Sequence, residues 1–255
     1  MFKNDQHTVL VAGDTHFKLK PDPDEVRRRD LFLSFLEAAR DADELVLLGD
    51  IFDFWFDYPH FRLRGYEELL SALDGVRDAG VRLHFVGGNH DIWAARYLHE
   101  RYGTSPHGEP FTLDADGLRI RLVHGDGLLV RDWLYSSFRR LVRRRAGVLF
   151  AKSLHPELLY AFSHWLSHAS RQASRDERHL IEKRARRHLA RARGAWALLL
   201  IGHVHHAFRI AEGGREMAAL GSWFAGEASY AIVRGGRFEL RDFAAEPRPP
   251  VADPQ

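Results

Sequence analysis

The 255-residue chain has no cysteine and only two methionines, so neither disulfides nor thiolate metal ligation can enter its chemistry. No apolar run approaches the roughly 20 residues that cross a bilayer. Nothing at the N-terminus resembles a signal peptide, because the first β-prone run is reached by residue 9. These absences point to a cytoplasmic protein. The chain shows no internal repeat and no composition break that would demand a second domain, and its length suffices for one substantial core.

What the sequence does contain is a recurring pattern. Five short segments place Asp, Asn or His directly after a β-prone run: Gly13-Asp14-Thr15-His16, Gly49-Asp50-Ile51-Phe52-Asp53, Gly88-Asn89-His90-Asp91, His124-Gly125-Asp126 and Gly202-His203-Val204-His205. The runs they close are 8–12, 45–48, 83–86, 118–123 and 197–201. Each segment alone reads as an ordinary turn, where Gly supplies positive φ and Asp bonds its own backbone. Five in succession place their donors along the carboxyl rim of a sheet, where α/β folds build their sites.

Carboxylate and carboxamide oxygens mixed with imidazole nitrogens suit manganese first, with iron and zinc accepted by the same donors. Seven donors are too many for one ion and fit two. Paired ions of this kind sit roughly 3.5–4 Å apart and lower the pKa of a bound water toward about 7. The expected reaction is in-line hydrolysis at phosphorus.

The ordered motifs D-x-H, G-D-x-x-D, G-N-H-D, a later His and G-H-x-H resemble those of the calcineurin-like metallophosphoesterases, over residues 9 to about 222. That resemblance implies that Asp14, His16, Asp50 and His205 hold one metal and that Asp50, Asn89, His124 and His203 hold the other, with Asp50 bridging. It also implies that His90 acts on the leaving oxygen as acid or electrostatic clamp, oriented by Asp91. His206 has no place in this scheme and is expected at the surface.

Within the superfamily the chain is most similar to the UDP-2,3-diacylglucosamine pyrophosphatases of lipid A biosynthesis. The likeness rests on the aromatic run Phe52-Asp53-Phe54-Trp55-Phe56, on Val123-His124-Gly125-Asp126-Gly127 and on Ser167-His168-Ala169-Ser170-Arg171. It is nearest to the branch with His in the G-N-H-D motif; the best-known members carry Arg in place of His90. The implied reaction releases UMP and an acylated sugar 1-phosphate.

The order of elements predicts a layered α/β fold. A helix is expected from Pro23 to about Arg40, with Asp22 as N-cap, and a second from about Tyr66 to Asp78, stopped by Gly80. Turns at Asp116-Gly117, Gly213-Gly214 and Gly235-Gly236 predict three hairpins. Together with the resemblance, this gives a single four-layer αββα domain over residues 1–243, a helical insertion (a lid) over about 127–195, and a disordered, proline-rich tail over 244–255.

The net charge of +2 is unevenly distributed: residues 127–195 carry fourteen Arg and two Lys against five acids. Basic, amphipathic stretches at 131–145, from Pro156 onward and at 176–193 suggest a surface that rests on the anionic inner membrane. Arg139, Arg140 and Arg171 are the nominated phosphate or headgroup contacts. Trp55, with Phe52, Phe54 and Phe56, either lines an acyl cleft or packs into the core. The expected partner is a nucleotide-sugar lipid; no nucleic acid and no protein partner are expected.

Two other functions compete. A phosphodiesterase or nuclease would use the basic insertion for a phosphate backbone, but there the arginines alternate with Leu, Phe and Trp. A non-catalytic scaffold should have lost ligands, and all are present.

Overall fold

The computed structural model describes residue 2 and residues 6–56, 63–91, 93–107, 110–129, 178–224 and 226–245. Three parallel strands, β1 (Thr8–Ala12), β2 (Glu44–Leu47) and β3 (Arg82–Val86), form the centre of a first sheet and are linked by α1 (Pro23–Ala39) and α2 (Glu67–Asp78). The helix α3 (Ala94–Tyr102) leads to the edge strand β4 (Ser105–His107). A second sheet begins with the hairpin of β5 (Phe111–Ala115) and β6 (Leu118–Val123). After α4 (Arg178–Arg191) it gains β7 (Leu198–Ile201), β8 (Phe208–Glu212) and β9 (Arg215–Ala219). The chain then returns to the first sheet as β10 (Ser229–Arg234) and β11 (Arg237–Asp242). The strand orders are β11-β10-β1-β2-β3-β4 and β5-β6-β7-β9-β8.

The burial pattern explains the layering. Strand β1 is apolar after Thr8 and buried on both faces, as a central parallel strand must be. Val9 and Val11 face the second sheet, meeting a layer that includes Ile120, Leu122, Leu198 and Leu200. Leu10 and Ala12 face the helices, with Phe32, Phe35, Leu73 and Leu98. On the far side, α4 buries Ile181, Ala185 and Leu189 against Leu199, Ile201 and Met217 of the second sheet. Helix, sheet, sheet, helix is the expected αββα order.

Helix α1 starts where its cap dictates. The Asp22 side chain accepts from the Glu25 N–H at 2.9 Å, and Pro23 occupies the first turn. The three hairpins turn at Asp116-Gly117, Gly213-Gly214 and Gly235-Gly236, all with positive φ. The expected third helix of the insertion is α4, and it serves as the fourth layer of the sandwich, not as part of a lid. Residues 130–177 of the insertion, with Arg139, Arg140 and Arg171, lie outside the described residues. So do residues 246–255; Phe243–Ala245 forms a short 3-10 turn with Phe243 in the core. Among the described residues no helix is long and apolar enough to cross a membrane.

An aromatic cluster packs behind the first sheet. Phe32 meets Trp223 edge-on at 4.8 Å and Phe17 at 5.4 Å, and it is fully buried. Phe32→Ala should cost about 3–5 kcal/mol of stability. Urea unfolding should show a lower midpoint at an unchanged slope; an unaltered midpoint would remove this residue from the core.

Candidate metal centre

The five ligand segments emerge at the carboxyl ends of β1, β2, β3, β6 and β7, and all converge. Strands β1 to β3 run parallel in one sheet and β6 and β7 run parallel in the other, so one rim of the sandwich receives every loop. The loops are laced together beyond the strands. Asp14 N–H donates to Gly49 O (3.0 Å), His16 N–H to Asp50 O (2.8 Å) and Gly202 N–H to His124 O (3.0 Å).

Asp50 lies at the centre. Its Oδ2 is 3.5 Å from His16 Nε2 and 3.2 Å from His124 Nε2, so one oxygen faces both halves of the site. Its Oδ1 accepts the His90 N–H at 2.9 Å. On one side, His16 Nε2 is 3.0 Å from His205 Nε2, and Asp14 Oδ1 is 3.4 Å from His205 Nε2. On the other, Asn89 Oδ1 lies 3.2 Å from His124 Nε2 and 3.0 Å from His203 Nδ1. Asp14 with His16 and His205, and Asp50 with His124 and His203, each bring their donor atoms within 4.8 Å of one another. His16, Asp50 and His90 form a third such group, so Asp50 is common to two of the three.

The backbone is bent to make this possible. Asp14, His16, Asp50, His203 and His205 all have positive φ, between 45° and 68°. The sole other non-glycine residue of this kind among those described is Asp116, in a hairpin turn. Left-handed backbone at non-glycine residues costs free energy and tends to cluster at functional sites. Close approach adds a second constraint: a methyl group on Gly88 would collide with Asp50 Oδ1 and its backbone N, and one on Gly202 would come 2.5 Å from Asp14 Oδ2.

Electrostatics argue for cations here. Asp14 and Asp50 are buried, and among the described residues neither pairs with a Lys or Arg. Their charge-bearing neighbours are imidazoles. Burial pushes the His16 and His203 pKa down to about 4, so both rings are neutral at pH 7 and available as ligands. His124 goes the other way: burial opposes its charge, but Asp50, Asp14 and Asp126 outweigh it and hold its pKa well above the usual range. Burial likewise opposes ionisation of Asp50, and His124, His90 and His16 together hold its carboxyl well below its ordinary value. Buried acids facing bare imidazole nitrogens fit divalent metal.

Two sequence expectations are corrected. Asp91 does not orient His90. Its carboxylate accepts the backbone N–H groups of Asp50 (3.1 Å), Ile51 (2.8 Å), Phe52 (3.3 Å) and Gly88 (2.9 Å), pinning the loop that carries the bridge. Burial and the adjacent Asp50 raise its pKa to about 6. His90 is held instead through Nδ1, which donates to the Asp53 carbonyl at 2.8 Å. The second concerns Trp55, for which core packing is the reading that holds among the described residues: it is 6% exposed and packs against Phe52 and Tyr66. Phe52 is also core, whereas Phe54 and Phe56 form a separate cluster with Leu19, Leu63 and Trp93. His206 is half-buried.

Sequence reasoning missed an aromatic support. The Phe224 ring lies beside both His16 (5.7 Å between centroids) and His205 (5.8 Å), and the Arg28 guanidinium sits 4.3 Å from its centroid. Arg28 also donates to the Thr15 carbonyl, between the two ligands of the first motif. A lone Phe following Trp223 carries no sequence signal for this.

A double-sheet sandwich with two overlapping carboxylate–imidazole sets on one rim is the arrangement of a metallophosphoesterase. The calcineurin-like phosphoesterase family profile matches residues 7–207, and the chain belongs to that family. Its relatives include proteins named UDP-2,3-diacylglucosamine hydrolase. That of Porphyromonas gingivalis is 32% identical over 65% of this chain and 64% of its own length. Those of Ectopseudomonas mendocina and Aeromonas hydrophila are 27% and 29% identical, covering 84% and 93% of this chain and 90% and 99% of their own.

Metal uptake should be linked to pH through His124. Its acidic neighbours favour the charged ring in the metal-free protein, with Nδ1 donating to Leu48 O at 3.0 Å and Nε2 facing Asp50. Ligation needs Nε2 bare, so binding must expel that proton and affinity must rise with pH. Adding Mn²⁺ to weakly buffered protein at pH 7 should release protons. A His124→Ala variant should release fewer, and the absence of any release from wild type would contradict the assigned ligand atom.

Proposed function

We propose that the protein is a dinuclear metal-dependent hydrolase that cleaves the pyrophosphate of UDP-2,3-diacylglucosamine to UMP and 2,3-diacylglucosamine 1-phosphate, a step of lipid A biosynthesis. The observation that carries the hydrolase reading is the single Asp50 oxygen lying between two donor sets. The substrate is supported by the shared name of relatives that match over most of their length.

In this reading Asp14, His16, Asp50 and His205 would hold one ion, and Asp50, Asn89, His124 and His203 the other. Manganese is the first expectation, with iron or zinc compatible with the same atoms. When bound, such a pair supplies an activated water and offsets charge on phosphoryl oxygens. The protein's own groups do the rest. His90, with Nδ1 engaged by the Asp53 carbonyl, keeps Nε2 for the leaving oxygen of the sugar phosphate, as proton donor or electrostatic clamp. Asp91 holds the Asp50 loop in register.

Arg139, Arg140 and Arg171 would grip phosphate or headgroup, and the basic excess of residues 127–195 would rest the protein on the anionic inner membrane. Binding to anionic liposomes should then weaken as salt rises; tight binding to single-stranded DNA without liposome binding would favour a nuclease.

Incubation with UDP-2,3-diacylglucosamine and Mn²⁺ should yield UMP and a lipid phosphate by mass spectrometry, and Asp50→Ala should bring turnover to background. Intact substrate beside brisk cleavage of a simple diester would replace this proposal with a general phosphodiesterase. A wild-type rate in Asp50→Ala would contradict the bridge.

A further inference from the structure

A single side chain of α1 reaches three parts of the metal centre's surroundings. Arg28, Phe32 and Phe35 stand at i, i+4 and i+7 and so share one face of the helix. Phe32 and Phe35 meet Trp223, at 4.8 Å and 5.5 Å between ring centroids. Arg28, one turn nearer the amino end, meets the next residue, with its guanidinium 4.3 Å from the Phe224 centroid. The same guanidinium lies 5.2 Å from the Phe17 centroid and donates to the Thr15 carbonyl. It therefore touches the residues on both sides of His16, and also the ring that lies beside both His16 and His205.

Charge alone would argue against this placement. A guanidinium near a receptor for cations repels what the receptor is built to take. Its side chain is 12% exposed, and burial pushes its pKa down, with Glu25 (Oε2 3.7 Å from Nη2) opposing that shift. Geometry supplies a reason for it. A planar guanidinium can donate in its own plane while its face stacks on a ring, which an ammonium cannot do. His16 follows β1 in one sheet and His205 follows β7 in the other, yet their Nε2 atoms are 3.0 Å apart. Phe224, on the segment between β9 and β10, is tilted by 36° against the first ring and 30° against the second. Groups outside the ligand shell that fix a ligand ring's orientation tune metal affinity.

We propose that Arg28 is a positioning residue for the first metal site, acting through the Thr15 carbonyl and the Phe224 ring to hold His16 and His205 with both Nε2 atoms turned to one ion. It acts on that ion and not on the one held by Asn89, His124 and His203, whose rings are set by other groups: His124 by Leu48 O, and His203 beside Asn89. An arginine that merely fastened α1 to the sheet would show no such selectivity.

The inference rests on the two-ion reading of the centre. Metal-free full-length wild type, Arg28→Lys, Phe224→Leu, Phe224→Tyr and the Arg28→Lys/Phe224→Leu double variant are titrated with Mn²⁺ by calorimetry. Wild type should take two ions. Arg28→Lys keeps the charge but loses the planar fork, and Phe224→Leu keeps an apolar side chain but loses the ring. Each should bind one of the two ions about 10-fold more weakly and the other as before. Phe224→Tyr, which keeps the ring, should retain both affinities. Because the two residues act as one unit, the losses in the double variant should fall well short of adding. In Zn²⁺-loaded Arg28→Lys, ¹⁵N spectra of the histidine rings should show His16 and His205 displaced while His124 and His203 stay in place. With two ions in wild type, unchanged affinities in Arg28→Lys, equal weakening of both ions, or fully additive losses would overturn the proposal alone. Fewer than two ions in wild type would bring down the two-ion reading and the proposal with it.

Discussion

One carboxylate oxygen, Asp50 Oδ2, organises this protein. Buried in a site that among the described residues offers it no Lys or Arg, it faces imidazoles from opposite halves of the fold, His16 behind β1 and His124 behind β6. Everything near it serves to hold it there. Asp91 collects four backbone N–H groups around its loop, the His90 N–H satisfies its second oxygen, and Gly88 leaves no side chain in its way. A buried acid faced only by imidazoles is costly unless something more strongly cationic completes it. Among the described residues the site is a receptor for positive charge whose two central carboxylates pair with no Lys or Arg.

The two sheets exist, in functional terms, to bring that receptor together. Neither sheet holds a complete site: β1 to β3 deliver Asp14, His16, Asp50 and Asn89, whereas β6 and β7 deliver His124, His203 and His205. Packing Val9, Val11, Val46 and Leu48 against Ile120, Leu122, Leu198 and Leu200 fixes the separation of the two rims. The inter-sheet core is in this sense part of the site. The left-handed backbone at five candidate ligand residues shows the same logic locally, since strained conformations persist only where surrounding structure over-determines them.

Much of this was legible before any coordinates. The donors after successive strands, the Asp22 cap, the glycine hairpins and the four layers all follow from local rules that the tertiary structure does not override. What escaped the sequence was relational. Asp91 and Asp53 are both acids near His90, and chain proximity favoured Asp91; space reversed the assignment, because Asp91 points back into the Asp50 loop and Asp53 reaches His90 from another strand end. Trp55 follows the ligand motif directly, yet it turns into the helix-facing core beside Tyr66. The Arg28–Phe224 support joins residues nearly two hundred positions apart and has no motif. In α4, an arginine-rich sequence suggested a surface lid, whereas Ile181, Ala185 and Leu189 provide an apolar face that closes the second sheet.

The central claim is that two ions share Asp50. Crystals soaked in Mn²⁺ and measured at the manganese absorption edge should show two anomalous peaks roughly 3.5–4 Å apart. One should be flanked by Asp14, His16 and His205, the other by Asn89, His124 and His203, with Asp50 Oδ2 between them. A single peak, or a pair that leaves Asp50 outside both coordination spheres, would contradict the account.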